Sequence, residues 1–451
     1  MAIQPEGKTG KGRRRKVKKI WVAMSTPFQA NFFAPLIKEL EGEYEFLVTA
    51  REHDRITSIL TAKRIEYLTV GRHGGRSLTN KLEAYADGIR EMLPIVQKEA
   101  PDLLLTERWP EAVRVAFGLD IPSWGIFYDE RETHVNRMVF PLVSRVFSPR
   151  FYSFQELFQN GVTDPESVVW FNGFHTCYLK GESLSGSNPY RRIGLNPPVL
   201  FVRPEPEFAS FFPKHEPTLE RAVRIIQKSG KANLVVLPRT DLQRHRYESL
   251  GATILDSSVE DSPVAHADVT LGAAETMLME SFILGKPTVS SIYWAPSKPV
   301  TELHRYVRHS TEPGEVAEYV ERFIDDDEEK MAFAEKASLL VRNMDNPVRL
   351  MINEIRKLSE EEPAEVSPRR RSQTEILIDI IQSVSLTPLR PTHIMKSANI
   401  SYNELKKIVE TLERRRLIAE ENTLGGKFYQ ATSEGLRLVE DYKGVKDRLF
   451  A

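Results

Sequence analysis

Short apolar segments alternate with longer amphipathic segments over the first third of the chain. Buried parallel strands appear in a sequence as short β-branched or apolar runs, whereas helices appear as longer segments with a period near 3.6 residues. On this basis strands are predicted at residues 20–25, 46–50, 66–70, 102–106, 123–127 and 143–147, and helices at 32–41, 53–63, 78–99 and 110–119. The alternation predicts a parallel sheet with helices on both faces.

A second alternating series begins near residue 199. Its predicted strands are residues 199–202, 232–237, 253–255, 268–271 and 288–292, with helices at 217–229, 315–325, 328–343 and 347–358. A segment rich in glycine, serine and proline, residues 183–198, separates the two series and is the predicted hinge. The pattern therefore indicates an α/β chain with Rossmann-like domains at 18–182 and 199–358. Two such domains that face each other form a cleft suited to a ligand.

A different pattern follows residue 358. Residues 359–372 are charged, contain proline and lack periodicity, as a linker does. Helices are then predicted at 375–384 and 391–398, and Ser401 with Glu404 forms a capping box that starts a third helix. Two strands around a Gly-Gly pair, residues 417–420 and 427–431, and a last helix at 432–447 complete residues 373–451. This order is that of a winged helix-turn-helix domain.

Composition narrows the classes of partner only slightly. The 451 residues have a net charge of −1, which gives no whole-chain attraction to nucleic acid or to a membrane. Residues 1–17 form a basic tail that we expect to be disordered; it either binds an acidic partner or is simply solvated. No apolar run approaches the roughly 18 residues that a membrane-spanning helix needs. We expect a cytoplasmic protein without a membrane span.

The cysteine content and the histidine spacing bear on redox and metal chemistry. Cys177 is the only cysteine, so an internal disulfide is excluded and a reducing compartment is indicated. His175 lies two residues away, but we expect a structural thiol there rather than a catalytic pair. The sequence shows no His, Cys and carboxylate spacing typical of a metal site, so no metal or other cofactor is expected.

Residues 268–292 are the strongest candidate for a ligand site, because they combine a strand, a small-residue turn, a helix and a second strand. A helix N-terminus at the carboxyl edge of a parallel sheet presents free N–H groups and a favourable dipole to phosphate. An arginine after another strand end could neutralise a diphosphate without a metal, and a carboxylate one turn into the helix could reach sugar hydroxyls. The candidate binding residues are Gly272, Ala273, Ala274, Thr276, Glu280 and Arg239. An ordinary βαβ crossover without a ligand remains the alternative.

Candidate acid–base groups follow predicted strand ends in the first domain. Glu107 follows one strand, and Asp129 and Glu130 follow the next. Paired carboxylates can act as acid and base when burial separates their pKa values. His73 lies in the glycine-rich loop 71–77 (GRHGGRS), which is either an active-site loop or a surface turn. The carboxylates are alternatively solvated, or paired with Arg108 and Arg131.

Seven stretches of the two-domain region resemble a known family. They are TPFQANFFAPLIKELEGEYEFLVTARE (26–52), GRHGG (71–75), AFGLDIPS (116–123), NRMVFPL (136–142), VRPEPEFASFF (202–212), LPRTDLQ (237–243) and ETMLMESFILGKPTVS (275–290). The chain is similar there to the chiefly archaeal domain-of-unknown-function family 354, which is related to UDP-GlcNAc 2-epimerase and to GT-B glycosyltransferases. The resemblance implies a GT-B-like fold and a nucleotide-sugar ligand.

The resemblance also implies roles for individual residues. Gly272, Ala273 and Ala274 match the glycine-rich turn before the nucleotide helix, and Glu280 matches the ribose-binding glutamate. Glu107 and Asp129 fall near the carboxylates of the epimerases.

One departure from the family pattern concerns Ala274 and Glu275, where relatives usually carry a glycine pair. A carboxylate at about 4 Å from a phosphate in a moderately screened cleft costs on the order of 4 kcal/mol. We therefore expect either that Glu275 turns outward or that nucleotide-sugar binding is weakened or lost.

The C-terminal region resembles the winged-helix domains of archaeal transcriptional regulators, through RPTHIMKSANISYNELKKIVETLERRRLI and YQATSEGLRLVEDY. The resemblance implies DNA binding, although winged helices also dock proteins, and residues 436–449 could form a homodimer contact. The candidate DNA-facing residues are Lys396, Tyr402, Asn403, Lys406, Lys407 and Lys427.

Two hypotheses for function follow. The first is a metal-independent glycosyltransferase or sugar epimerase that binds a nucleotide sugar or related phosphorylated ligand and is fused to a DNA-binding domain. The second is a non-catalytic transcriptional regulator or interaction scaffold whose degenerate GT-B-like cleft acts as a sensor.

Overall fold

Two units make up the chain, residues 1–362 and 363–451. The computed structural model describes residues 17–52, 54–75, 77–180, 188–207, 212, 218–255, 263–360, 373–385, 388–398, 400–423 and 426–450. The predicted disordered tail up to residue 16, the first part of the predicted hinge (183–187) and most of the predicted linker (361–372) lie outside the described residues.

The first sheet of the large unit has seven parallel strands among the described residues, in the order β3-β2-β1-β4-β5-β6-β7. Strand β1 is an interior strand, with Trp21 paired to Leu47 on one side and to Leu104 on the other. Helices cover both faces, so the interior strands β1, β4 and β5 are almost entirely buried. The strands are β1 (Lys19–Met24), β2 (Glu45–Ala50), β3 (Leu68–Thr69), β4 (Leu103–Thr106), β5 (Ser123–Ile126), β6 (Arg145–Pro149) and β7 (Val168–Phe171).

The second sheet has six parallel strands among the described residues, in the order β10-β9-β8-β11-β12-β13. These are β8 (Val199–Arg203), β9 (Asn233–Val236), β10 (Thr253–Ile254), β11 (Val269–Gly272), β12 (Thr288–Ser290) and β13 (Arg308–His309). The edge strands β7 and β13 were not predicted. Strand β13 pairs over only two residues, which is too short for a periodic signal.

Fifteen α-helices are described in the large unit. They are α1 (Pro27–Leu40), α2 (Asp54–Ala62), α3 (Leu78–Glu99), α4 (Pro110–Gly118), α5 (Thr133–Val139), α6 (Phe154–Gln159), α7 (Pro189–Arg192), α8 (Thr218–Ser229), α9 (Asp241–Glu248), α10 (Pro263–His266), α11 (Glu275–Ile283), α12 (Lys298–Leu303), α13 (Pro313–Asp325), α14 (Asp327–Arg342) and α15 (Pro347–Glu360). The predicted start of α1 at residue 32 is wrong. The helix begins at Pro27, because the Thr26 hydroxyl accepts from the Gln29 N–H and proline suits the first helical position.

Helix α15 follows the second sheet in the chain but packs on the first domain. Its buried side chains Val348, Met351, Ile352 and Ile355 belong to the same apolar core as α1 and β1. Arg356 also pairs with Glu43 of the first domain. The predicted second domain ended at residue 358, whereas its last helix in fact contributes to the core of the first.

Both sheets reverse their strand order at the centre, between β1 and β4 in the first and between β8 and β11 in the second. In open α/β sheets a ligand binds at such a switch point, outside the carboxyl ends of the strands. Residues following β1 and β4 in one domain and β8 and β9 in the other line one cavity. The predicted architecture of two Rossmann-like domains around a cleft is therefore confirmed.

The small unit contains α16 (Gln373–Ser383), α17 (Pro391–Ala398), α18 (Tyr402–Arg414), β14 (Ile418–Thr423), β15 (Gly426–Ala431) and α19 (Ser433–Phe450). The predicted capping box starts α18, where Ser401 accepts from the Glu404 N–H and the Glu404 carboxylate accepts from the Ser401 N–H. One face of α18 is buried in the core of this unit, through Leu405, Val409 and Leu412. The antiparallel pair β14-β15 forms the wing.

Within the described residues, no helix is long and apolar enough to cross a membrane.

Candidate functional site

A cavity of about 1160 Å³ lies between the two Rossmann-like domains. Pockets that hold a single small ligand usually measure roughly 300–1,000 Å³, so this one has room for a ligand the size of a nucleotide sugar or larger. Seven predicted site residues line it, namely His73, Glu107, Asp129, Arg239, Ala274, Thr276 and Glu280. The cleft thus brings together residues from both domains that are far apart in the chain.

Gly272 and Ala273 are not among the residues that line the cavity. A Cβ atom on Gly272 would lie 2.7 Å from the backbone oxygen of Arg203, and Ala273 is fully buried. The Ala273 N–H donates to the same Arg203 oxygen. In this structure the two residues allow β11 to pack closely against β8, which is a structural role in addition to any contact with a ligand.

The N-terminus of α11 faces the cavity through Ala274, Glu275 and Thr276. Ala274 occupies the N-cap position and has no side-chain acceptor for the first-turn N–H groups. Helix N-termini without a side-chain cap leave these donors available to an anion. A phosphate at this position stays a prediction.

Glu275 lies in the cleft and is held by the opposite domain. Arg131 donates to its two carboxylate oxygens at 2.7 and 2.9 Å, and the Ser297 hydroxyl donates at 2.7 Å. The expected outward turn of Glu275 is therefore wrong, whereas weakened or lost nucleotide-sugar binding stays a prediction. Because Arg131 is shared between Glu275 and Asp129, it compensates only part of the repulsion anticipated for a phosphate.

Arg131 also holds the candidate acid–base residue Asp129. Its Nε and Nη2 donate to the two Asp129 oxygens at 3.0 and 2.9 Å. Although burial acts to raise the pKa of Asp129, hydrogen bonds and charge from Arg131 outweigh burial, and the pKa lies below its usual value. Asp129 is thus ionised at neutral pH and cannot serve as a proton donor there.

Glu107 is likewise engaged by its neighbours. Gln29 Nε2 donates to it at 2.8 Å, Arg108 Nε at 3.0 Å and the Tyr128 hydroxyl at 2.5 Å. The carboxylate is buried, and these donors satisfy its hydrogen-bonding capacity. Pairing with Arg108 is the alternative role that the sequence predicted for it. The third predicted carboxylate, Glu130, lies outside the cavity lining.

Glu130 instead contributes to an interdomain contact. Its Oε1 accepts from the Lys298 N–H at 2.8 Å, and its Oε2 accepts from the Tyr152 hydroxyl at 2.6 Å. Lys298 Nζ is itself bound by Glu156. These contacts join the two domains beside the cleft.

Glu280 lies one turn inside α11 and lines the cavity. The Tyr178 hydroxyl donates to its Oε1 at 3.0 Å. Burial raises the pKa of Glu280 to about 7, against opposing effects of the Tyr178 hydrogen bond and the charge of Arg55. Near neutral pH the group can therefore accept or donate a hydrogen bond to a ligand.

Arg239 has neighbours that the sequence pattern did not single out. Arg51, Arg55 and Arg203 line the same cavity. The Arg203 guanidinium donates to the backbone oxygens of Leu237 and Pro238, and Arg239 Nε donates to the Pro204 oxygen. Arg239 keeps contact with solvent inside the cleft, yet the enclosing walls and the charge of Arg55 lower its pKa to about 10.

A signal for two of these additional arginines was present in the sequence. Arg51 directly follows β2, and Arg203 is the last residue of β8. Both therefore occupy carboxyl ends of strands, the same kind of position that singled out Arg239.

His73 and His175 also line the cavity. The Gly75 N–H donates to His73 Nδ1 at 3.0 Å, which orders the glycine-rich loop. The His175 ring stacks on Tyr128 at 3.9 Å between centroids, and in the described part of the chain neither of its ring nitrogens has a hydrogen-bond partner. Burial lowers the pKa of His175 to about 3, so the imidazole is neutral.

Cys177 is buried, and burial raises the pKa of its thiol to about 12. A thiol held in this state is a poor nucleophile, in line with the structural role expected. Elsewhere, the described residues contain no group of three or more His, Cys, Asp or Glu side chains arranged to hold a metal ion.

The candidate DNA-facing residues of the small unit differ in their surroundings. Tyr402, Lys406 and Lys407 on α18 are exposed. Lys427 on the wing pairs with Glu420 and lies over the Tyr429 ring. The side chains of Lys396 and Asn403 lie outside the described part of the structure.

Comparison with known proteins matches each of the two parts of the chain to a family model. The family model described as "Protein of unknown function (DUF354)" matches residues 18–360. The chain belongs to this family. A winged helix-turn-helix model matches residues 370–449, which confirms the nature of the small unit. An uncharacterised protein of Methanocaldococcus jannaschii is 27% identical over 316 residues, which cover 67% of this chain and 90% of that protein.

Solved structures of similar fold agree with the family. The UDP-GlcNAc 2-epimerase of Neisseria meningitidis, solved with UDP-GlcNAc, matches with a TM-score of 0.55 and 15% identity, over 75% of this chain and 100% of that one. The M. jannaschii UDP-GlcNAc 2-epimerase, solved with UDP-GlcNAc and UDP, has a TM-score of 0.53 and 13% identity, over 76% and 99%. At such identities the likeness establishes the GT-B-like fold of this DUF354 protein.

Proposed function

We propose that this DUF354 protein binds a nucleoside-diphosphate sugar in the cleft between its Rossmann-like domains. The observation that carries the proposal is the convergence of Arg203, Arg239, the N-terminus of α11 and Glu280 on one cavity. Cations and helix N–H groups bind diphosphate oxygens, and a carboxylate binds sugar hydroxyls. Two of the solved structures with this fold contain UDP-GlcNAc, which supports the choice of ligand class.

In this proposal Arg239 and Arg203 neutralise the diphosphate, and the first-turn N–H groups at Ala274 and Thr276 complete its site. Glu280, one turn further along α11, accepts hydrogen bonds from the ribose. The ion pair with Arg131 partly compensates the negative charge of Glu275, which would otherwise repel the phosphate.

For an enzymatic role, Asp129 and Glu107 would have to be released from the hydrogen bonds that they make in this structure. Asp129 is ionised and can accept a proton, but Arg131 occupies both of its oxygens. A substrate would have to displace Arg131 before Asp129 acted as a base. Glu107 accepts three hydrogen bonds and would need a similar release. A glycosyltransferase or epimerase activity therefore requires a rearrangement of the cleft upon binding.

A second candidate function is a ligand-responsive DNA-binding regulator. Two observations favour it: the engaged state of both carboxylates and the winged helix-turn-helix in the same chain. In this case the cleft retains nucleotide-sugar affinity without turnover, and occupancy changes DNA affinity.

Calorimetric titration of the full chain with UDP and UDP-GlcNAc tests the binding proposal. We expect saturable binding that weakens at least tenfold in Arg239→Gln and is unchanged in Arg305→Gln, which removes an exposed cation. Absence of heat with either nucleotide would overturn the proposal. Proton NMR of the same mixtures separates the two candidates, since an epimerase or hydrolytic transferase activity produces a new sugar or free UDP and a sensor returns UDP-GlcNAc unchanged.

A further inference from the structure

Both carboxylates of α11 accept hydrogen bonds from the first domain. Arg131, shortly after β5, donates to Glu275 in the first turn of the helix at 2.7 and 2.9 Å. Tyr178 lies in the 3₁₀ helix His175–Leu179 after β7, and its hydroxyl donates to Oε1 of Glu280 in the second turn at 3.0 Å. The helix to which we assign the phosphate and ribose contacts is thus held by the other domain at two successive turns.

Tyr178 is fixed in the core of the first domain. It is buried and belongs to the same apolar cluster as α1 and β1. Its ring packs edge-on against Phe28 and Phe32 of α1, with ring centroids 5.9 and 5.7 Å apart, a favourable geometry for aromatic pairs. Its backbone oxygen accepts a hydrogen bond from Asn346 Nδ2 at 3.3 Å. These contacts give the phenol hydroxyl a fixed position.

Glu280, by contrast, is half-buried and lines the cavity with a side chain that has several rotamers. Ordering such a side chain when a ligand binds costs conformational entropy, and a group that is already oriented avoids that cost. Tyr178 donates to Oε1, and within the described part of the chain Oε2 accepts no hydrogen bond. The rigid donor therefore selects one orientation of the carboxylate and leaves its second oxygen for a ligand.

We propose that Tyr178 is a positioning residue for the nucleotide: from the core of the first domain, it holds the Glu280 carboxylate of the second domain toward the ribose. This inference rests on the proposed nucleotide-sugar function and adds a residue that acts on the ligand through Glu280. It also makes the ribose site depend on both domains, because the donor and the acceptor belong to different ones.

The hydrogen bond from Tyr178 also affects the protonation of Glu280. Burial raises the pKa of Glu280 to about 7, whereas the Tyr178 hydrogen bond and the charge of Arg55 act to lower it. Phenylalanine cannot donate a hydrogen bond, so Tyr178→Phe should raise this pKa further. An ionised carboxylate is a stronger acceptor than a protonated one, so ribonucleotide binding should weaken as Glu280 becomes protonated.

Other titratable groups lie on the elements that pack against α11. The 3₁₀ helix carries His175 and Cys177, α10 carries His266 and α12 carries Lys298. Helix α14 adds charged side chains of both signs. Removal of the Tyr178 hydroxyl leaves all of these groups in place, so a difference between the pH profiles of variant and wild type reports on Glu280.

Calorimetric titration of the full chain with UDP-GlcNAc from pH 5.5 to pH 9 tests the proposal, because the diphosphate diester of this ligand does not titrate in that range. Wild-type affinity should rise with pH and level off above about pH 8. In Tyr178→Phe the midpoint should move up by about one unit. Affinity at pH 7 should then fall about fivefold, whereas affinity at pH 9 should change less than about twofold.

Two comparisons locate the effect. Tyr190→Phe removes a buried hydroxyl that donates to the Pro263 backbone oxygen and should leave the midpoint unchanged. The nucleotide 2′,3′-dideoxy-UDP lacks the ribose hydroxyls, so its affinity at pH 7 should be the same in wild type and Tyr178→Phe, while the affinity for UDP falls about fivefold.

Thermal melting verifies that each variant is folded; Tyr178→Phe keeps the ring and its packing against α1. This substitution should itself lower the melting temperature more at pH 8 than at pH 5, since a hydrogen bond to an ionised carboxylate is the stronger one.

The outcomes separate the two proposals. If UDP-GlcNAc binds and Tyr178→Phe weakens it equally at every pH, or not at all, Tyr178 has only a structural role; this inference is overturned and the nucleotide-sugar proposal stands. Equal weakening of UDP and 2′,3′-dideoxy-UDP also overturns it. If no uridine nucleotide binds to the wild type, the nucleotide-sugar function fails and this inference fails with it.

Discussion

Arg131 of the first domain donates two hydrogen bonds to the carboxylate of Glu275 in the second domain, at 2.7 and 2.9 Å. The two residues are 144 positions apart in the chain. Arg131 simultaneously binds Asp129, so two carboxylates at the wall of the cleft share one guanidinium. The acidic residue that departs from the family's glycine pair is thus one half of an interdomain ion pair.

Replacement of Arg131 by methionine should destabilise the large unit. It leaves Asp129 and Glu275, both mostly buried, as uncompensated like charges. Loss of one partner of a buried pair costs about 3–5 kcal/mol, and residual solvent access reduces this to about 2–3 kcal/mol here. Chemical denaturation measures the change. Arg305→Met, which removes an exposed pair, is the control and should cost less than about 0.5 kcal/mol.

A second substitution tests the cause of that loss. Adding Glu275→Gln to Arg131→Met removes one of the stranded charges and should recover part of the lost free energy. If the double variant is as unstable as Arg131→Met, packing rather than charge explains the loss.

Glu280 should make the stability of the protein depend on pH. Its folded-state pKa is about 7, above the ordinary value of 4.5, so between these values the folded state holds a proton that the unfolded state has released. The resulting stabilisation is fully present below about pH 4.5 and is lost as pH rises through 7. Relative to wild type, Glu280→Gln should therefore gain stability from pH 5 to pH 8, by up to about 3 kcal/mol.

Melting temperatures at several pH values measure this difference. Glu318→Gln, at an exposed position of α13, is the matched control and should follow wild type at every pH. Parallel curves for Glu280→Gln and wild type would contradict the raised pKa.

The winged helix-turn-helix offers a test of DNA binding on α18. Replacing Lys406 and Lys407 by alanine removes two exposed cations. If both contact phosphates, the slope of log K against log salt should become shallower by about two, uniformly across DNA sequences. Gel shifts or anisotropy at several salt concentrations give the slope. An unchanged slope would indicate that this face of α18 does not contact DNA.

Local features were predictable from the sequence, because they depend on neighbouring residues. The bounds of α3 were predicted as the structure has them, and the Ser401 capping box is present. Both follow from periodicity and capping chemistry within a few positions. Edge strands such as β13 were missed, since a two-residue pairing has no pattern of its own.

The composition of the site was only partly predictable. Arg239 and Glu280 were singled out by their positions after a strand and inside a helix, and both line the cavity. The contacts of Arg131 with Glu275 and of Glu130 with the Lys298 N–H depend on how the two domains face each other. No local sequence pattern predicts that arrangement, so the pairing of Glu275 was found only in the structure.

Gly272→Ala should distinguish a packing role from a ligand-binding role at the turn before α11. A Cβ atom there would lie 2.7 Å from the Arg203 backbone oxygen and 3.1 Å from Met277 Cε. The Met277 side chain can move, but Arg203 is held in β8 by its pairing with β11, so the strands must shift. Overpacking of this kind costs about 1–3 kcal/mol.

Gly314→Ala is the matched control, because a Cβ atom at that position in α13 meets nothing within 4 Å and alanine favours a helix more than glycine does. It should be neutral or slightly stabilising in denaturation, whereas Gly272→Ala should lower the free energy of unfolding by about 1–3 kcal/mol. A Gly272→Ala protein as stable as wild type, with weakened binding of UDP, would show instead that the glycine serves the ligand directly. In that case the backbone of the turn must approach the diphosphate, and the close packing of β11 on β8 is not the reason for glycine at this position.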